Sequence, residues 1–118
     1  MRRGEVWWAQ LPDVGRHPVL VISRDVSIEV RNSVTVAEIT GTIRGIPSEV
    51  ELDKADGMSK QCCVNLDNIL TLPKSLLSNP IGSLSPERML EVAKAIAFAL
   101  DLSLPKRLLG FRELWDHW

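Results

Sequence analysis

The hydrophobic period of this chain changes once, near residue 85, and that change limits the folds open to it. Before it, short runs rich in β-branched residues are separated by turn signals. After it, Ser85-Pro86-Glu87 supplies a helix N-cap, a proline for the first turn and an acid beside the positive end of the helix dipole. Met89, Val92, Ala93, Ile96, Ala97 and Leu100 then recur at spacings of three and four, as one face of an amphipathic helix. Pro105 cannot continue that helix, so it is expected to end near Leu102. About six short strands followed by one long helix describe a small β-barrel capped by a helix, a mainly β fold with α.

The strand segments differ in how they are expected to be buried. Val6-Trp7-Trp8-Ala9 is a compact apolar run closed by Leu11-Pro12-Asp13, and its two tryptophans point to opposite faces. Gly15 opens the next segment. Its run Val19-Leu20-Val21-Ile22, bounded by Pro18 and Arg24-Asp25, suits a strand covered on both faces. Ser33 to Thr40 partly alternates, and Ser48 to Asp53 alternates polar and apolar as a half-buried strand does. Cys62 to Leu66 and Asn68 to Leu72 read as one further strand or two, and Ile81 to Leu84 as a short segment.

At 118 residues, the chain is the size of one ordinary domain, long enough to bury a core without disulfides or a structural metal. No apolar run approaches a membrane span, and no long apolar stretch follows Met1-Arg2-Arg3 as in a secretory signal, so the expected location is cytoplasmic. Lys plus Arg is 14 and Asp plus Glu is 15, which excludes a strongly basic nucleic-acid-binding domain. A local basic patch stays open, since Arg2, Arg3, Arg16, Arg24, Arg31 and Arg44 all fall in the first half. Cys62 and Cys63 are adjacent, a poor geometry for a bridge, and read as one thiol inward and one outward. With two histidines and no CxxC, neither a metal nor another cofactor is expected. Residues 103–118 form an extension beyond the unit at 1–102. Their apolar side chains, Leu108, Leu109, Phe111, Leu114, Trp115 and Trp118, read either as packing on the chain's own barrel or as a partner-binding arm, with a short helix after Gly110.

Polar groups with chemical potential lie mostly at strand ends. Arg16-His17 precede the fully apolar strand, Thr40 ends the third strand, Arg44 follows at the next turn, and Asp67-Asn68 interrupt the apolar strand after Cys63. Each taken alone has an ordinary reading as a solvated or turn residue.

Taken in order, these segments resemble the MazF/PemK family of toxin endoribonucleases. Arg3-Gly4-Glu5-Val6-Trp7-Trp8-Ala9 resembles its opening, and Arg16-His17-Pro18-Val19-Leu20-Val21-Ile22-Ser23-Arg24-Asp25 its second strand. Thr40-Gly41-Thr42-Ile43-Arg44-Gly45, Ser48-Glu49-Val50, Val64-Asn65-Leu66-Asp67-Asn68-Ile69 and Ile81-Gly82-Ser83-Leu84-Ser85 continue the resemblance in register. It implies a small SH3-like β-barrel of the MazF/PemK/CcdB type with a carboxy-terminal helix, assembled as a homodimer and inhibited by a cognate antitoxin. It also implies metal-independent, sequence-specific cleavage of single-stranded RNA. In that reaction the 2′-OH attacks the adjacent phosphate, leaving a 2′,3′-cyclic phosphate and a 5′-OH.

The family's catalytic pair is an arginine directly before the strand proline and a threonine at the end of the third strand. The threonine corresponds to Thr40. The position before Pro18 holds His17, with Arg16 one residue earlier and therefore on the other side of an extended strand. Two assignments stay open: His17 acts as a proton-transfer group, or a local shift brings Arg16 into the site. Arg24 and Arg44 are candidates for flanking phosphates, and Asp67 and Asn68 for reading base edges. The Leu11–Gly15 loop is shorter than in many relatives, which leaves the groove more open.

Two other functions fit the same fold. One is an SH3-like module that binds RNA or protein without chemistry. The other is a topoisomerase poison of the CcdB kind, which would leave RNA whole.

Overall fold

The computed structural model describes residues 1–102; the expected tail helix and the role of residues 103–118 lie outside the described residues. Six strands, β1 (Glu5–Leu11), β2 (Gly15–Val21), β3 (Ser33–Thr40), β4 (Glu49–Leu52), β5 (Cys62–Pro73) and β6 (Leu77–Ser83), form one curled sheet in the order β4-β5-β3-β2-β1-β6. Every pairing is antiparallel. A short helix, α1 (Asp25–Val30), joins β2 to β3, and the long helix α2 (Pro86–Ala99) ends the described chain. The mainly β architecture with a C-terminal helix is as expected; α1 was not anticipated. It begins directly at Arg24-Asp25, which read only as the end of a strand.

Two apolar clusters lie on the two sides of the sheet. Leu20 packs with Val6, Ile39, Val64, Val92 and Ala95, while its neighbours Val19 and Val21 pack with Ala9, Ile28, Val34 and Leu72. β2 is therefore covered on both faces, as its unbroken apolar run implied. Each fully buried aliphatic side chain contributes roughly 1.5–3 kcal/mol from removal of apolar surface from water. Trp7 joins the second cluster. The outer strands are poor templates for further pairing. β4 carries Glu49 and Glu51, and β6 contains Pro80 and pairs with β1 through two register shifts.

β5 is one strand of twelve residues rather than two. Its register with β3 jumps between Ala37↔Ile69 and Glu38↔Asn65, leaving residues 66–68 without a β3 partner. An odd number of extra residues reverses the side-chain alternation. Leu66 accordingly faces the α2 side and Leu72 the other. Both cysteines are buried, which corrects the inward–outward expectation. Cys62 enters the α2-side core, while Cys63 Sγ lies 3.6 Å from the Thr42 carbonyl of the loop after β3.

Helix α2 starts as expected, with Ser85 Oγ accepting from Arg88 N–H at 3.1 Å and Pro86 in the first turn. It ends at Ala99, three residues before the expected boundary, for a local reason. Asp101 adopts a left-handed φ of 55°, Leu102 N–H donates to Ala97 O at 2.7 Å, and Asp101 N–H donates to Phe98 O at 3.2 Å. This is a Schellman closure with aspartate in the place of the usual glycine. The buried face is also rotated from the expected one. Val92 and Ala95 are buried with Met89, Ile96 and Ala99 against them, whereas Ala93 and Leu100 are exposed.

Candidate functional site

A proline opens the site. Ile22 N–H donates to Thr35 O at 3.0 Å, and the register Leu20↔Ala37 follows from it, so even-numbered residues of β2 hydrogen-bond towards β3. The next such residue is Pro18, which has no N–H to give. The β2–β3 pairing accordingly stops at Val19↔Glu38. Beyond it, the ends of the two strands border a cavity of about 470 Å³, lined by Trp8, His17, Pro18, Ile39, Thr40 and Gly41, and closed below by Met58, Cys62 and Ile81. The same register continued would set His17 opposite Thr40.

His17 is partly buried, with 24% of its side chain exposed. Its Nε2 is out of solvent, 3.5 Å from Glu38 Oε1, but unaligned for a hydrogen bond. It is the one buried side-chain nitrogen or oxygen among the described residues without a hydrogen-bond partner. The other Glu38 oxygen accepts from Asn68 Nδ2. Glu38 thus links His17 to the extruded 66–68 segment, and the bulge in β5 is what brings Asn68 within reach. Sequence reading missed Glu38. The available signal was period two: Glu38 lies two residues before Thr40 on the same strand and on the same side of it.

Thr40 Oγ accepts from Thr42 N–H at 3.2 Å and orders the first turn of the following loop. Arg16 is not part of the cavity lining. Its guanidinium carbon stacks 4.5 Å from the centroid of the Trp8 ring, which itself forms a cavity wall. The β1–β2 register runs unshifted from Val6↔Leu20 to Leu11↔Gly15, with Arg16 opposite Gln10 and His17 opposite Ala9. Of the two residues considered for the position before Pro18, it is His17 that shares the cavity with Thr40.

The other candidates occupy different places. Asp67 Oδ2 accepts from Ser48 Oγ at 2.6 Å, which holds the exposed carboxylate, and Asp67 N–H donates to Asn65 Oδ1 at 3.0 Å, which fixes its backbone. Ser48 is only 1% exposed, and its sequence gave no hint of that partnership. Arg44 is exposed on the loop after β3, where its N–H and that of Gly45 donate to Glu49 Oε1 at 2.9 and 3.0 Å. Arg24 is exposed at the start of α1, outside the cavity.

The loop of residues 57–61 also reaches the cavity, through Gly57, Met58, Ser59 and Lys60. Burial pushes the Cys62 thiol upward, and the Lys60 charge opposes that shift. Burial likewise raises the Cys63 thiol to about 11, helped by the Glu49 carboxylate. Neither thiol is primed as a nucleophile at neutral pH. No cluster of metal-ligating side chains occurs among the described residues.

The curled antiparallel sheet with its terminal helix opens at one end into a cavity that His17 and Thr40 share. Residues 2–100 match the family described as PemK-like, MazF-like toxins of type II toxin–antitoxin systems, and the chain belongs to that family. A Mycobacterium tuberculosis protein described as a probable endoribonuclease MazF5 is 40% identical over 102 residues, covering 86% of this chain and 94% of its own. Among solved structures, the Mycobacterium tuberculosis toxin MazF-mt6 superposes with a TM-score of 0.79 at 36% identity, over 85% of this chain and 99% of that one. A mycobacterial endoribonuclease solved with its cognate antitoxin superposes with a TM-score of 0.81 at 32% identity, over 89% and 99%.

Proposed function

We propose that this protein is a sequence-specific endoribonuclease that cuts single-stranded RNA and is the toxin of a toxin–antitoxin pair. The carrying observation is the placement of His17 and Thr40 on one cavity, opened where Pro18 ends the β2–β3 ladder. In this reading the scissile phosphate enters between them. The 2′-O–P bond forms as the P–O5′ bond breaks. His17 takes the 2′-OH proton at Nδ1, because Nε2 is enclosed beside Glu38. Glu38 orients the ring and stabilises its protonated form. Thr40 donates a hydrogen bond to a non-bridging phosphoryl oxygen as charge builds there. The departing O5′ takes a proton from solvent in the half-open cavity. No metal enters this scheme. Asp67 and Asn68 lie on the flanking bulge, where they meet neighbouring bases, while Arg44 and Arg24 hold more distant phosphates.

The protein works in the cytoplasm as a homodimer and is silenced by a cognate antitoxin. No helix among the described residues is long and apolar enough to cross a membrane. The test is incubation of purified protein with a long unstructured RNA in EDTA, with the fragment ends mapped and the mass in solution measured. Discrete cuts bearing 2′,3′-cyclic phosphate ends, from a particle of two chains, are expected. Intact RNA in the presence of folded protein would overturn the catalytic reading in favour of a binding module.

A further inference from the structure

The scheme above lacks a fixed positive charge at the phosphate. His17 exchanges a proton, Thr40 is neutral, and Arg16 is stacked on the Trp8 ring outside the cavity lining. Yet the phosphorane-like transition state concentrates negative charge on the phosphoryl oxygens, and a cation there usually supplies a large part of the stabilisation. The resemblance implied such a cation directly before Pro18, where this chain has His17.

We propose that Lys60 supplies that cation, reaching the scissile phosphate from the opposite wall of the cavity. The inference rests on the endoribonuclease reading. Among the residues lining the cavity, Lys60 is the one lysine or arginine. It reaches back towards the end of β3: a methyl group placed on Gly41 would sit 3.7 Å from Lys60 Nζ and 3.9 Å from Cε. Nζ therefore stands beside the residue that follows Thr40. The described residues include no ion-pair partner for Lys60, whereas the Arg88 cation is tied to Asp56 and Glu91. A side chain at Gly41 would meet the ammonium group at ordinary van der Waals distance, so Gly41 and Lys60 are immediate neighbours. The cation has moved from β2 to the loop of residues 57–61. Lysine acts there as a compact charge on a flexible stem rather than as a bidentate fork.

Lys60 is exposed and sits in a loop, so its removal should leave the fold intact, which a thermal melt checks. The experiment compares wild type, Lys60→Met and Lys60→Arg on an oligoribonucleotide spanning a mapped cleavage site. Affinity is read separately with two uncleavable versions, 2′-deoxy at that site, one with the normal phosphodiester and one with a neutral methylphosphonate. Lys60→Met should lower kcat about a hundredfold, and Lys60→Arg should recover most of it. Affinity of Lys60→Met for the phosphodiester probe should fall about tenfold, with a clearly smaller loss for the methylphosphonate, since the neutral linkage keeps an acceptor oxygen but loses the attraction between opposite charges. The slope of log affinity against log salt should drop by about 0.7. Rates within twofold of wild type would overturn the assignment of Lys60, as would an equal loss on both probes. Failure of the wild type to cut any RNA would instead remove the endoribonuclease reading, and this inference with it.

Discussion

His17 and Glu38 stand with Nε2 and Oε1 3.5 Å apart, although neither adjoins the other in sequence and their strands stop pairing at that point. The carboxylate faces a ring nitrogen that has no other partner, and its second oxygen holds Asn68. This arrangement can orient an imidazole and accommodate its positive charge once it takes a proton. Replacing His17 with Gln should lower the cleavage rate by about 10²–10⁴, the usual range for loss of a positioned proton-transfer group. Glu38→Gln should cost less, about tenfold, because the ring remains and only its orientation and charge support weaken. Single-turnover cleavage on saturating RNA measures both; wild-type rates in His17→Gln would remove it from the mechanism.

In the proposed scheme Thr40 acts on the chemical step and not on binding. Thr40→Ala should abolish measurable cleavage while RNA affinity stays within about threefold of wild type, since one hydroxyl bond is lost mainly in the transition state. Thr40→Ser keeps the hydroxyl and its bond to Thr42 N–H, and should retain most activity. A parallel loss of affinity in Thr40→Ala, measured by fluorescence anisotropy, would point to a role in binding instead.

Ser48 holds Asp67 from a buried position, with 2.6 Å between Oγ and Oδ2. Ser48→Ala should free the carboxylate and cost about 1 kcal/mol of stability for the lost bond. The cleavage-site preference should broaden at one base while the rate at the best site changes little. Sequencing of fragment ends from a complex RNA pool reads this directly; an unchanged motif would place Asp67 away from the bases.

Asp56 gives the fold an acid-sensitive clamp. Burial pushes its carboxyl upward, but the Arg88 hydrogen bond, the Asp53 backbone bond and the Arg88 charge outweigh it, so the net shift is downward. A carboxyl lowered in the folded state adds stability that is fully present above the ordinary aspartate range near pH 4. That stability is lost as pH falls through the lowered folded value. Denaturant midpoints should therefore decline below about pH 4 in wild type, and less steeply in Asp56→Asn. Parallel curves would mean that the Arg88 contact contributes nothing to folding.

Cys63 should resist alkylation. Its thiol is raised to about 11 and the residue is fully enclosed. At pH 8 in native buffer, iodoacetamide should label Cys63 at least tenfold more slowly than after unfolding, because the thiolate is both scarce and inaccessible. Mass spectrometry of the labelled peptide reports this, and rapid native labelling would show that the loop covering Cys63 opens.

Much of the fold was legible in the sequence because it is carried by local pattern. The β-branched run at Val19–Val21 required cover on both faces and obtained it from the two clusters. Ser85 and Pro86 marked the start of α2 through chemistry confined to one turn. The end of α2 was misplaced because Asp101, a residue that enters the left-handed region less readily than glycine, makes the closing turn. The candidate residues His17 and Thr40 stood out through motif register alone; their shared cavity depends on where a ladder stops.

What the sequence determined by itself is the set of elements, the order of the motifs and the presence of Pro18, which has no N–H to give to the neighbouring strand that its nitrogen faces. Tertiary structure decided which strand that was, and so which residues face the gap. It also decided that residues 66–68 leave the β3 register, bringing Asn68 to Glu38, and that the loop of residues 57–61 returns to place Lys60 beside Gly41. Hydrophobic period and capping act over a few residues and can be read along the chain. A register jump or a loop's return depends on packing between segments twenty to thirty residues apart, which no local pattern encodes.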